Sequence, residues 1–205
     1  MFLDWTGYGG GFYGLCPYKG SNGVLVSDCT DTFVWENYPN SNFDSTLVLS
    51  NFEQANRRFG LLTWQLPPPG TTYLSSFIVT NCETGGLNLP QGPFDIYFMK
   101  RPWTETEVTY YHFADGTRWP GHGILDSTNF DATPAGTLLF DQSGQNILAL
   151  NAYGTSQLNT IINTPLTWNG FIVSSSGVNN VAQWGGKAVL DSSDGTAPQL
   201  LLYYL

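Results

Sequence analysis

The sequence predicts an all-β fold, a two-sheet β-sandwich or jelly roll, and three observations support this prediction. Aromatic residues make up 15% of the chain and charged residues only 11%, a composition that suits half-buried pleated strands. Short apolar runs are separated throughout by turns rich in Gly, Pro, Asn and Asp. A chain of 205 residues is also long enough to bury a core of its own.

The predicted elements follow one another between these turns. Predicted strands cover residues 24–26, 31–35, 46–49, 59–66, 74–80, 94–99, 108–113, 137–141, 147–150, 170–174, 188–191 and 199–204. Residues 156–163 differ, because Leu158, Ile161 and Ile162 have the spacing of one helix face, which predicts a short amphipathic helix. Many strands with little helix favour a sandwich or jelly roll.

Residues 57–70 predict a strand at a corner of the sandwich. Leu62 and Trp64 belong to an apolar face of this strand, and the opposite face alternates, as in a half-buried strand. The prolines that follow end the pairing, because proline donates no ladder hydrogen bond. We interpret Arg57 and Arg58 as part of the architecture and not of an active site.

The chain is predicted to contain an N-terminal arm, residues 1–27, and a single jelly-roll domain, residues 28–205. Glycines alternate with aromatic residues at the start of the chain, which combines backbone freedom with large contact area. We expect the arm to become ordered on a surface, either of its own domain or of a neighbouring subunit. The predicted contact residues of the arm are Trp5, Tyr8, Phe12, Tyr13 and Tyr18.

Charge and hydropathy exclude several partners. The net charge is −9 and only seven residues are basic, whereas nucleic-acid binding depends on Lys and Arg. No apolar run approaches the length of a membrane span. The first residues lack the basic and apolar regions of an export signal, so we expect an unexported protein that binds neither nucleic acid nor membrane.

The three cysteines, Cys16, Cys29 and Cys82, do not have the spacing of a metal site. Reduced, apolar cysteines are the favoured interpretation, because no other feature indicates secretion. A Cys16–Cys29 disulfide in an oxidising compartment remains the alternative.

Two sequence patterns could suggest an enzyme, and neither has the required context. Residues 9–14 match G-x-G-x-x-G, but the dinucleotide motif needs a preceding strand and a following helix. Glu105 and Glu107 would share one face of an extended strand, which would place two carboxylates near each other as in a glycosidase, but a structural role is favoured. No G-x-S-x-G motif occurs, so we predict that the protein is not an enzyme.

Two further groups of residues are candidate metal ligands. His112 and His122, with Asp115 and Asp126, lie too far apart in a glycine-containing loop for the usual ligand spacing, and a structural role is favoured.

The acidic run 191–194, with Asp28 and Asp31, could supply oxygen ligands for calcium. Acidic residues in turns usually form Asx-turns. We therefore predict no cofactor, with calcium as the alternative.

The tryptophans allow two interpretations. Most are expected to fill the core. Trp119 and Trp184 stand beside glycines in predicted loops, so we predict that they are exposed platforms for a sugar ring or a neighbouring protein.

Several segments, in order, carry a family resemblance. Residues 57–64 read Arg-Arg-Phe-Gly-Leu-Leu-Thr-Trp, residues 103–105 read Trp-Thr-Glu, residues 169–173 read Asn-Gly-Phe-Ile-Val, and residues 198–204 form a Pro-initiated terminal strand. In these segments the chain resembles the DNRLRE-type β-jelly-roll domains over residues 28–205. The resemblance implies a two-sheet sandwich and a structural role for Glu105. Such domains are typically non-catalytic modules attached to secreted enzymes; some bind carbohydrate, and similar domains occur in bacteriophage structural proteins.

These observations together predict a non-enzymatic bacteriophage virion protein, a capsid decoration (cement) protein that is assembled in the host cytoplasm. Its expected partners are the major capsid protein or another virion protein and further copies of itself, as a homo-oligomer. The alternative is a carbohydrate-binding module or a tail fibre or spike domain that recognises host surface glycans.

Overall fold

The fold is taken from a computed structural model of the chain. It describes residues 22–43, 46–50, 58–82, 94–121, 123–138, 144–164, 168–175, 187–191 and 198–205. The arm residues Trp5, Tyr8, Phe12, Tyr13 and Tyr18, together with Trp184, lie outside these residues.

The described residues form short strands and one helix. The strands are β1 (Asn22–Val26), β2 (Cys29–Trp35), β3 (Thr46–Ser50), β4 (Arg58–Trp64), β5 (Ser75–Cys82), β6 (Phe94–Phe98), β7 (His112–Ala114), β8 (Thr117–Arg118), β9 (Gly136–Leu138), β10 (Gly144–Ala149), β11 (Phe171–Ser175), β12 (Lys187–Asp191) and β13 (Gln199–Tyr204). The helix is α1 (Ala152–Asn163).

The strands pair antiparallel in two main sheets, which confirms the all-β sandwich. One is a four-stranded sheet with the order β1-β13-β5-β10, and the other is a seven-stranded sheet with the order β12-β3-β4-β11-β6-β9, in which β2 also pairs with β4. A bridge between Gly136 and Leu150 joins β9 to the residue after β10, so the two sheets meet along this side.

The first described strand lies within the region that the sequence analysis assigned to the arm. Asn22–Val26 pairs along its whole length with β13, with Asn22 opposite Tyr204 and Val26 opposite Leu200. The sandwich therefore includes residues 22–26, and the segment that precedes it within the predicted arm is residues 1–21.

The main core lies between the two sheets and is closed on one side by α1. It contains Leu62, Phe94, Phe171 and Leu200, with Leu158 of the helix, all at most 1% exposed. The helix begins earlier than the predicted residue 156, because the side chain of Asn151 accepts a hydrogen bond from the Gly154 amide and caps the first turn. The predicted helix is thus confirmed and extended towards its N-terminus.

Strand β4 is buried on both faces, so the prediction of a half-buried strand is wrong. Leu62 and Trp64 face the main core, whereas Phe59 and Leu61 belong to a second cluster on the opposite side of the seven-stranded sheet. The local alternation suggested one face in contact with water. It could not predict the cover, because the covering residues come from a distant part of the chain.

That cover is formed by residues 99–121 and 123–131, which we call the covering layer. Its apolar side chains Met99, Val108, Trp119 and Ile124 are buried against the outer face of the seven-stranded sheet. Most of the predicted strand 108–113 is irregular in this layer; only His112–Ala114 forms a strand, paired with Thr117–Arg118. The second core makes the described fold three layers thick in this region.

Candidate functional site

Trp119 is buried, so the prediction that it forms an exposed platform is wrong. Its side chain is 2% exposed and its ring lies 5.4 Å from the ring of Phe113. The indole Nε1 donates a hydrogen bond to the Thr109 carbonyl at 3.0 Å. The flanking glycine that suggested a surface loop serves a turn, since Gly121 has a positive φ of 75°.

Other tryptophans in the described residues also have structural roles. Each of three indoles donates to a main-chain carbonyl from another part of the sequence: Trp64 to Pro198, Trp103 to Asn169 and Trp168 to Trp64, at 2.8–2.9 Å. Buried indole N–H groups need such partners. These three side chains connect segments of the sandwich.

Among the described residues, His112, Asp115 and Asp126 do not belong to a group that could hold a metal ion. His112 Nδ1 lies 3.2 Å from the Thr109 hydroxyl, and Asp126 accepts hydrogen bonds from the Thr128 amide and hydroxyl. His122 lies outside the described residues. No group of three or more His, Cys, Asp or Glu side chains among the described residues could hold a metal ion.

Glu105 and Glu107 do not share a strand face, which corrects that expectation. The Val108 and Glu107 amides both donate to the Thr104 carbonyl, so these residues form a turn. Glu105 Oε1 accepts a hydrogen bond from the Asp31 amide at 3.2 Å, and Glu107 Oε2 accepts one from the Asp115 amide at 3.0 Å. Both carboxylates thus fix main-chain groups.

The acidic residues considered for calcium are only partly described. The calcium alternative required Asp31 to lie in a loop, but this residue is fully buried in strand β2. Residues 192–197 lie outside the described residues. Calcium binding therefore stays an alternative prediction that the described residues do not test.

Cys29 carries a free thiol, and Cys16, its partner in the alternative disulfide, lies outside the described residues. Burial is the main cause that raises the pKa of this thiol, and the negative charge of Asp31 raises it further. A neutral, buried thiol is a poor nucleophile. Cys29 therefore acts as a small apolar residue beside the main core, in agreement with the favoured interpretation.

The most exposed large aromatic side chains in the described residues lie on two loops that contact each other. Tyr38 is 53% exposed and Tyr111 is 38% exposed, and the Tyr111 amide donates to the Pro39 carbonyl at 3.3 Å. We call Tyr38 and Tyr111, with the rings of Trp35, Phe43 and Tyr110 beneath them, the aromatic end. These residues were not among the predicted site residues, although a Tyr-Pro pair beside asparagines is a recognisable turn signal.

The aromatic end is held in a fixed shape by its neighbours. The ring centroids of Tyr38 and Trp35 are 4.5 Å apart, and those of Tyr110 and Tyr111 are 5.4 Å apart. Asn42 joins the two loops, because its Nδ2 donates to the carbonyls of Glu105 and Val108 at 2.7 and 2.8 Å. Exposed rings supported in this way lose little entropy when they bind a partner.

Arg58 supports the aromatic end from β4. Its guanidinium carbon lies 4.0 Å from the centroid of the Trp35 ring and 5.8 Å from that of Phe33, which is cation–π geometry. Burial lowers the pKa of Arg58. Its packing agrees with the interpretation of this arginine as part of the architecture.

A second feature with functional potential is the edge of the four-stranded sheet. Strand β1 is the terminal strand in the order β1-β13-β5-β10, and among the described residues it pairs only with β13. Edge strands present unpaired N–H and C=O groups that another segment can use. Residues 1–21 join the sandwich at this strand.

Comparisons with known proteins add no family assignment, since no family model and no curated protein matches the chain. The resemblance to the DNRLRE-type domains stays a prediction. Among the described residues, no helix has both the length and the apolar character needed to cross a membrane.

Proposed function

We propose that this chain is a non-enzymatic structural protein of a bacteriophage virion, a decoration protein that binds the assembled capsid through its N-terminal arm and the edge of the four-stranded sheet. One observation carries the proposal. The glycine- and aromatic-rich residues 1–21 lead directly into β1, which is the edge strand of that sheet.

The physical basis of such binding is additional buried area at a junction between capsid subunits. An edge strand can pair with a strand of a partner through main-chain hydrogen bonds. The aromatic side chains of the arm supply large contact area with few rotatable bonds. Repetition of the contact by symmetry-related copies would strengthen attachment, as expected for a homo-oligomer on a symmetric shell.

The low charged fraction and the family resemblance support the same proposal. Only 11% of the residues are charged, which leaves a surface with many neutral polar groups, suited to contact with other proteins. The resemblance points in the same direction, because similar domains occur in bacteriophage structural proteins.

The proposal is tested by co-sedimentation of the purified chain with undecorated capsids of the phage that encodes it. Removal of residues 1–21 is expected to abolish binding, whereas a Tyr38→Ala/Tyr111→Ala variant keeps it. Full binding by the truncated chain would overturn the role of the arm. Absence of binding by the full chain, with folding verified by circular dichroism, would overturn the decoration function.

Recognition of a surface glycan is the second candidate function, and the aromatic end favours it. Tyr38 and Tyr111 are exposed and supported from below, and such rings can stack on the apolar face of a sugar. Binding to a glycan array should be lost in the Tyr38→Ala/Tyr111→Ala variant. It should be kept in Leu74→Ala, a matched change at another exposed apolar residue. Equal binding by both variants would exclude the aromatic end.

A further inference from the structure

The outer face of the four-stranded sheet is apolar on all four strands. Its cluster of side chains points away from the main core: Leu25, Phe77, Val79, Ile147, Leu201 and Tyr203. The residues between them, including Ile78, Leu200 and Leu202, belong to the main core. The alternation along each strand therefore separates two apolar faces.

Strand pairing makes this outer face continuous. Leu25 is opposite Leu201, and Leu201 is opposite Phe77, so one apolar row crosses three neighbouring strands. The ring of Tyr203 packs edge-on against Phe77, with centroids 5.8 Å apart. The same ring covers Gly23 of β1, where an added Cβ would lie 3.2 Å from its Cε1.

The centre of this outer face is buried. Leu201 is 2% exposed, Val79 5% and Phe77 8%, whereas the outer face of an antiparallel sheet is usually polar and in contact with water. The apolar residues of α1 and of the covering layer belong to the other two clusters. Among the residues whose side chains the structure describes, which leaves out those of β3 and β12, no apolar side chain from outside the four strands belongs to this cluster.

We propose that residues 1–21 of the same chain lie across the outer face of the four-stranded sheet and cover it. This segment joins β1 at Asn22, opposite Tyr204, at the corner where the Tyr203 ring lies over Gly23. Its six aromatic residues are Phe2, Trp5, Tyr8, Phe12, Tyr13 and Tyr18, and only Asp4 and Lys19 are charged. The apolar content of residues 1–21 and their attachment to β1 both match the apolar outer face of the four-stranded sheet.

The other undescribed segments are poorer candidates, because each must connect two described elements. Residues 83–93 lead from β5 to β6 in the opposite sheet, and residues 139–143 and 192–197 are short connections between strands. Residues 176–186 connect two strands of the seven-stranded sheet. Residues 1–21 precede the described fold, and no second described strand constrains their path.

The length of the segment is compatible with the proposed function. Four paired strands are about 15 Å wide, and the arm could extend over about 70 Å. Part of the arm can therefore cover the sheet while the remainder reaches a partner. The inference concerns the isolated protein, so it stands or fails independently of capsid binding.

A double-mutant cycle tests the proposal on the full chain and on a chain lacking residues 1–21. Leu201→Ala is expected to lower the Tm of the full chain by about 8 °C and that of the truncated chain by less than half as much. The matched control Leu202→Ala, which faces the main core, should lower both by similar amounts. An equal effect of Leu201→Ala in the two chains would overturn the proposal.

A second measurement applies if the truncated chain does not fold. A benzophenone amino acid replaces Phe77 in the full chain, and the cross-linked peptides are identified by mass spectrometry. Cross-links to residues 1–21 within one chain support the proposal. Cross-links to other segments, or only between isotopically distinct copies in a mixed sample, overturn it. Neither outcome depends on a capsid.

Discussion

The outer faces of the two sheets are both apolar, but they differ in what covers them. On the seven-stranded sheet, Phe59 and Leu61 are buried beneath the covering layer, which the structure describes. On the four-stranded sheet, Val79 and Leu201 are also buried, and we assign their cover to residues 1–21. The outer faces of a sandwich are usually in contact with water, whereas this chain has two clusters of apolar residues outside the main core.

Apolar outer faces on both sheets explain two features of the sequence. The low charged fraction follows from strands that are buried on both sides. The aromatic residues are distributed among three clusters instead of one. A cover formed by residues 1–21 would differ from the covering layer in one respect, since a segment that precedes β1 can leave the sheet without breaking the order of the strands.

The largest expected effect is at the two adjacent leucines of β4. Leu61→Ala and Leu62→Ala should each lower the free energy of unfolding by about 3 kcal/mol, because both side chains are fully buried, on opposite faces. Urea denaturation measures both values. A cost below about 1 kcal/mol for Leu61→Ala alone would show that the covering layer does not pack against the sheet.

A smaller effect is expected when the attachment of the covering layer is weakened. Asn42→Ala removes the hydrogen bonds from Nδ2 to the carbonyls of Glu105 and Val108, and should cost about 2 kcal/mol. Hydrogen exchange should then accelerate in residues 103–113 and remain unchanged in β5.

Asn163→Ala is the matched control for this prediction. Its side chain also pairs with main-chain groups of another segment, those of Gly70 and Thr71, and with the Asn159 carbonyl within the helix. It lies at the C-terminal end of α1. Uniform acceleration of exchange over the whole domain in Asn42→Ala, as in global destabilisation, would contradict a separate layer.

The smallest effect concerns pH and the thiol of Cys29. Burial, followed by the charge of Asp31 and more weakly that of Glu105 in the covering layer, raises its pKa above the ordinary 9.0. The folded state keeps the thiol neutral, whereas the unfolded chain releases its proton above pH 9.0. The free energy of unfolding is therefore unaffected by this thiol below pH 9.0 and decreases as the pH rises above it, by at most about 1.4 kcal/mol per pH unit.

Replacement of the thiol tests this pH dependence. Cys29→Ala should reduce the alkaline loss of stability relative to the natural chain, measured by thermal unfolding between pH 8 and 10. Identical pH profiles for the two proteins would show that the thiol does not titrate differently in the folded and unfolded states.

Local sequence patterns predicted most of the strands and the helix, because alternation and turn residues are local signals. They failed where distant segments meet. Trp119 has the local sequence of a surface loop, yet it is buried in one cluster with Phe59 and Ile172 of the seven-stranded sheet. The exposure of Tyr38 and Tyr111 likewise depends on how two loops pack, and the residue periodicity of the sequence does not predict loop packing.

Binding through the arm is tested by measuring the affinity of four proteins for undecorated capsids: the full chain, the chain without residues 1–21, the Tyr38→Ala/Tyr111→Ala variant and their combination. We predict that truncation weakens binding at least 100-fold, about 2.7 kcal/mol, and that the tyrosine substitutions change it by less than threefold. Loss of affinity with the tyrosine substitutions, and its retention after truncation, would contradict binding through the arm and assign binding to the aromatic end.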